Sequence, residues 1–112
     1  MRPGAAHDGG DPFEALSDPN RRAIVELLRA GDRSVREIAD ELPISRPAVS
    51  RHLRLLKEAG LVDDTADGTR RLYHLQDRGL EEIRAYLERV WGEAGARFRI
   101  AAANTTPTTN RR

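Results

Sequence analysis

Four helix starts are written into the first half of this chain, and they divide it into short pieces. Asp11-Pro12 and Asp18-Pro19 each place a capping carboxylate before a proline, whose fixed φ and missing N–H suit the first helical turn. Ser34-Val35-Arg36-Glu37 has the spacing of a capping box, and Ser45 caps a segment with Pro47 in its first turn. Gly31, Pro43 and Gly60 supply the stops. Within each piece the apolar residues keep helical spacing: Phe13 and Leu16, then Ile24, Leu27 and Leu28, then Val35, Ile38, Ala39 and Leu42. After Gly60 the period changes. Residues 61–65 and 70–75 are short strand candidates around Asp67-Gly68, a two-residue hairpin turn. Asp77 then caps a last helix with Leu80, Ile83, Leu87, Val90, Trp91, Ala94 and Phe98 at helical spacing, weakened in its second half by Gly92 and Gly95.

This order predicts a mainly α fold of about five helices with a small β-hairpin wing, a winged helix-turn-helix. The domain spans 12–103. Residues 1–11, rich in Gly, Pro and Asp, are expected to be a flexible arm, and 104–112 a disordered tail.

The segment ISRPAVSRHLRLLKEAG carries four strong cations against one anion, in a chain whose formal net charge is +1. On a helical wheel Ala48, Val49, His52, Leu53, Leu55 and Leu56 fall on one side. Arg46, Pro47, Ser50, Arg51, Arg54, Lys57 and Glu58 fall on the other. Cationic helix faces are usually only solvated. Here, however, the segment follows a short helix across the tight turn Leu42-Pro43-Ile44 and precedes a hairpin bearing Arg70 and Arg71. In a helix-turn-helix the second helix enters the major groove and its N-terminal residues reach base edges. The expected contacts with double-stranded DNA are therefore Ser45, Arg46, Pro47, Ser50, Arg51 and Arg54, with Arg70 and Arg71 gripping the flanking backbone. Asp63 and Asp64 are expected to pair with those two wing arginines, or to bias the hairpin away from non-specific phosphate binding.

Several function classes are disfavoured. With no Cys there is no disulfide, thiolate metal site or thiol switch. His7, His52 and His74 lie in the arm, on an apolar helix face and on a strand, so no local spacing supports zinc; His52 reads as a packed histidine. No nucleophile–base pair is visible, and no enzyme is expected. No apolar run matches a signal peptide or a membrane span, which points to a cytoplasmic protein without membrane contact.

From about Phe13 to Trp91 the chain resembles the ArsR/SmtB family of small bacterial winged-helix repressors. The matching stretches are FEALSDPNRRAIVELLRAG, VREIADELPISRPAVSRHLRLLKEAGLV and DGTRRLYHL. The resemblance implies a homodimer that represses by occupying a promoter, in some members its own, with DNA contacts at Arg46, Pro47, Ser50 and Arg51. Metal-sensing members carry Cys-x-Cys in the third helix; the aligned positions here are Ser34 and Arg36, and the last helix has no His. The chain thus resembles the branch without a recognisable metal site, and no cofactor is expected.

The dimer seam is expected to form from Phe13, Leu16, Leu80, Ile83, Leu87, Val90 and Trp91, an apolar set that one copy of the fold leaves partly exposed. Two other readings stay open: a winged fold that binds a protein partner, and a regulator induced by a small organic ligand in a pocket involving Phe13, Leu16, Trp91 and Phe98. The identity of any effector is unknown from sequence.

Overall fold

The structure, a computed structural model, describes the backbone of residues 10–105 and the side chains of residues 10–92. Five helices and one hairpin follow in the expected order: α1 (Pro12–Ala15), α2 (Pro19–Arg29), α3 (Val35–Glu41), α4 (Arg46–Glu58), β1 (Val62–Asp67), β2 (Arg70–Leu75) and α5 (Arg78–Thr105). Each of the four early starts is built as its residues dictate. Asp11 accepts from Phe13 N, Asp18 from Asn20 N and Arg21 N, and Ser45 from Ala48 N. Ser34 and Glu37 close a full capping box, the serine accepting from Glu37 N at 3.2 Å and the glutamate from Ser34 N at 2.8 Å.

Helix α4 ends in a Schellman motif. The N–H of Leu61 bonds back to Leu56 O at 3.0 Å and that of Gly60 to Lys57 O at 3.0 Å, with Gly60 in the left-handed region at φ 76°. The turn therefore delivers the chain straight from the recognition segment into the wing.

At the hairpin the turn lies one residue later than Asp67-Gly68. Asp67 pairs with Arg70, so the two loop residues are Gly68 and Thr69. Gly68 has φ 67° and, among the described residues, no non-glycine has positive φ. That is the pattern of a turn needing left-handed backbone only at its first central position, where glycine alone is unstrained.

At the last helix the side-chain acceptor is Gln76, whose Oε1 takes the N–H groups of Asp77 and Arg78, while the carbonyl of Asp77 accepts from Glu81 N. The helix passes through Gly92 and Gly95 and stays helical to Thr105, past the expected boundary at 103. Most of the arm and the tail, His7, and the side chains of Ala94 and Phe98 lie outside the described residues.

The core is built from Ile24 and Leu28 of α2, Ile38 of α3, and Val49, Leu53, Leu56 and Ala59 around α4, closed by Ala15, Leu61 and Val62. Helix α3 packs on α4, α2 on both α4 and β2, and α1 on α5. Among the described residues no helix is long and apolar enough to cross a membrane.

Candidate nucleic-acid interface

The two faces of α4 separate as the wheel predicts. Val49, His52, Leu53 and Leu56 are buried, whereas Arg46, Pro47, Ser50, Arg51, Arg54, Lys57 and Glu58 are exposed, as is the cap Ser45. Leu42 leaves α3 in extended backbone (φ −123°, ψ 149°), and Ile44 N returns to Leu42 O at 2.7 Å, so the chain re-enters a helix at once. At that helix start Pro47 has no N–H and Ser45 takes that of Ala48, so the partial positive charge of the helix end, beside Arg46, is what favours an anion there. Among the described residues Arg46, Arg51 and Arg54 make no ion pair within 4 Å, so their guanidinium groups remain available to an outside partner.

The wing is held beside this helix by contacts that local sequence patterns do not reveal. Arg33, just before α3, forms an antiparallel bridge with Tyr73 of β2, through Arg33 N to Tyr73 O at 3.1 Å and Tyr73 N to Arg33 O at 2.8 Å. Between α3, the start of α4 and the wing lies an open groove of about 650 Å³, with Arg36, Arg46, Arg70 and Arg71 among its walls.

Of the two wing arginines, Arg71 pairs with Asp64 as expected, whereas Arg70 has other partners. Arg70 faces Asp67 at 3.2 Å and Glu37 of α3 at 3.7 Å. Arg71 Nε donates to Asp64, which also accepts from Lys57 Nζ at 2.6 Å. Asp63 instead accepts from Asp64 N and lies 4.0 Å from Lys57. The hydrogen bond from Lys57, followed by that from Arg71, holds the Asp64 carboxyl below its ordinary range.

Beneath the interface sits a pair that is only half visible in the sequence. His52, 7% exposed, packs on α4's inner face, and its Nδ1 lies 3.4 Å from Arg21 Nη1. Arginine only donates, so Nδ1 is the acceptor and the ring is neutral. Burial holds the imidazole below its ordinary range, Asp18 opposes this, and Arg21 and Arg51 reinforce it. Arg21 itself is buried and donates to Ala15 O at 2.7 Å and Glu14 O at 3.4 Å. Its signal is its spacing: residue 21 lies three before Ile24 and seven before Leu28, on the buried stripe of α2.

On α1 and α5, Phe13, Leu80, Leu87, Val90 and Trp91 are exposed, Trp91 to 54%. Leu16 and Ile83 are half-buried against the core of their own chain. Tyr86, not singled out from sequence, joins the exposed set: its ring meets Phe13 edge-on at 5.2 Å and Trp91 at 6.2 Å. Beside them an apolar groove of about 390 Å³ is lined by Leu16, Val25, Leu61, Leu75 and Leu80.

Comparison with known proteins decides the family. The family model "Bacterial regulatory protein, arsR family" matches residues 18–64. The chain is 52% identical over 82 residues to the HTH-type transcriptional regulator Rv2034 of Mycobacterium tuberculosis, covering 73% of this chain and 77% of that protein. The chain belongs to the ArsR family. It is also 40% identical to the transcriptional repressor SdpR of Bacillus subtilis, over 62% of this chain and 78% of that one. Among solved structures, an ArsR-like transcriptional regulator from Rhodococcus sp. RHA1 superposes with a TM-score of 0.67 at 31% identity, over 86% of this chain and 88% of that one. A possible transcriptional regulator for arsenical resistance gives a TM-score of 0.66 at 43% identity, over 73% and 85%.

As an ArsR-family protein the chain is a winged helix-turn-helix, DNA-binding transcriptional regulator, and the family is one of regulators rather than enzymes. The residues at the third-helix positions of the metal-sensing members do not fit a metal. Ser34 is a buried cap committed to Glu37 N, and Arg36 is an exposed cation.

Proposed function

We propose that this ArsR-family chain is a homodimeric repressor that occupies a palindromic operator, works without bound metal, and controls its own promoter. The observation that carries the DNA reading is the exposed face of α4, where Arg46, Arg51 and Arg54 lack ion-pair partners among the described residues and share one side with Ser45, Pro47 and Ser50. Arg51, one turn into that face, is the base reader; a bidentate Arg–guanine contact discriminates by about 1–3 kcal/mol. Arg70, beside the hairpin tip, is placed to grip the flanking phosphates in exchange for its half-exposed partners Asp67 and Glu37, while Arg71 reaches them only with the nitrogens that Asp64 leaves free. The exposed apolar faces of α1 and α5 support the homodimer, and the absence of cysteine supports metal independence.

The test is a salt titration of binding to the promoter upstream of the chain's own gene and to scrambled DNA. Arg51→Ala is expected to weaken operator binding strongly, leave scrambled DNA less affected, and relax preference at one base per half-site. Equal loss on both DNAs with a flatter salt slope would reassign Arg51 to phosphate anchoring. Chelators are expected to leave the operator complex intact.

A second reading, control by a small organic ligand, draws support from the apolar groove that reaches Leu16 and Leu80. Its check is a ligand that raises the melting temperature of the wild type but not of Leu80→Gln.

A further inference from the structure

Asp64 stands at the junction of the recognition helix and both wing strands. Its side chain is 4% exposed, while its two cationic partners, Lys57 and Arg71, are 50% and 57% exposed. Lys57 lies seven residues after Ser50 and three after Arg54, so it continues the stripe that faces DNA. One inward carboxylate thus holds two outward cations, one from each half of the interface.

We propose that Asp64 is a specificity-determining residue: by engaging Lys57 and Arg71 it withholds them from phosphates, and it fixes the wing in register with α4. The proposal rests on the reading of α4 and the wing as the DNA interface.

The contrast with Arg70 gives the physical reason. Arg70's partners, Asp67 and Glu37, are about half exposed, so both are readily hydrated when a phosphate takes the arginine. The Asp64 carboxylate accepts from both cations at once, so a phosphate that takes either must break a charge-assisted hydrogen bond. Arg71 keeps its Nε on Asp64 and offers only its terminal nitrogens outward. Cations that touch phosphate raise affinity for every sequence, because each one releases counterions whatever the bases are. Base contacts alone distinguish sequences. A device that retires cations from the phosphate-binding set therefore lowers non-specific binding and widens the gap to the operator.

The test uses Asp64→Asn, which keeps the shape and removes the charge. Affinity for scrambled DNA is expected to rise at least about fivefold at 0.1 M salt, with the slope of log K against log salt steeper by about 0.9 for each of the two released cations that reaches a phosphate. Operator affinity is expected to rise less, because the wing slips out of register there. Lys57→Met provides a second measure that does not depend on that variant folding. In the wild-type background it is expected to flatten the slope by well under about 0.9; in the Asp64→Asn background it flattens it by about that amount. An unchanged scrambled-DNA slope in Asp64→Asn, an equal gain on both DNAs, or a slope flattened by the whole of one phosphate in Lys57→Met alone each overturns the inference while leaving DNA binding by this face intact. A wild-type chain that retards neither DNA at low salt overturns both.

Discussion

His52 and Arg21 place a titratable pair beneath the recognition helix, and its consequence for stability has a definite sign. Burial depresses the His52 pKa in the folded chain below its ordinary 6.5, so the unfolded chain binds the proton more readily. Stability is then fully present above about 6.5 and declines as the pH falls through the folded value. Asp18, Glu37 and Asp64 are all shifted downward, with the hydrogen bonds of Arg21 N, Ser34 N and Lys57 as the respective leading causes. Their contributions fade only at more acid pH, near and below the ordinary carboxylate range. As the pH falls below about 6.5, His52→Gln is expected to flatten the dependence of melting temperature on pH, since an amide oxygen still accepts from Arg21 and does not titrate. Parallel melting curves for the two proteins below that pH would show that His52 is not the group responsible. At this scale the exposed arginines are readable from a wheel. The buried one is marked only by its place at the head of an apolar stripe, and its partner thirty-one residues away is found only in three dimensions.

At the scale of the element, capping geometry makes the strongest link from sequence to structure. Ser34 is 5% exposed and satisfies Glu37 N, while Glu37 returns to Ser34 N and also faces Arg70 of the wing. Ser34→Ala removes one half of the box and is expected to cost about 1 kcal/mol of stability in urea unfolding. Operator affinity is expected to change little once the chain is folded, because α4 keeps its own cap at Ser45. A loss well under half that size would mean that α3 is held by packing of Ile38 rather than by its start. The caps are legible because they are local chemistry, a side-chain oxygen and an N–H two or three residues apart. The hairpin turn is displaced by one residue from its expected place because Asp67-Gly68 is a good turn dipeptide only in isolation. Pairing of Asp67 with Arg70 moves the glycine to the first loop position.

For the whole molecule, the decisive feature is the exposed apolar face formed by α1 and α5. Phe13, Tyr86 and Trp91 meet ring to ring, and Leu87 and Val90 of the same helix α5 are exposed as well, so the apolar residues cluster rather than stand singly. Two-fold pairing through this face would bury it, and a two-fold dimer lets two recognition helices read half-sites about 34–36 Å apart, one turn of DNA. Leu87→Glu is expected to turn a dimer into a folded monomer in sedimentation at micromolar concentration and to abolish retardation of a two-half-site operator. A wild-type chain that sediments as a monomer under the same conditions would remove the homodimer from the proposal.

Interactions within a few residues of the chain settle the number, order and starts of the helices, the two faces of α4 and the existence of a hairpin, and all of these are legible in the amino-acid order. Family membership is legible too, carried above all by SDPNRR, SRPAVSRHL and EAGLV together. Which cations are free is a matter of packing. Arg46, Arg51 and Arg54 look no different in sequence from Arg71 and Lys57. The latter are held by one carboxylate that a Schellman turn and a strand pairing bring to them, and an ion pair assembled from α4, β1 and β2 exists only where those elements meet.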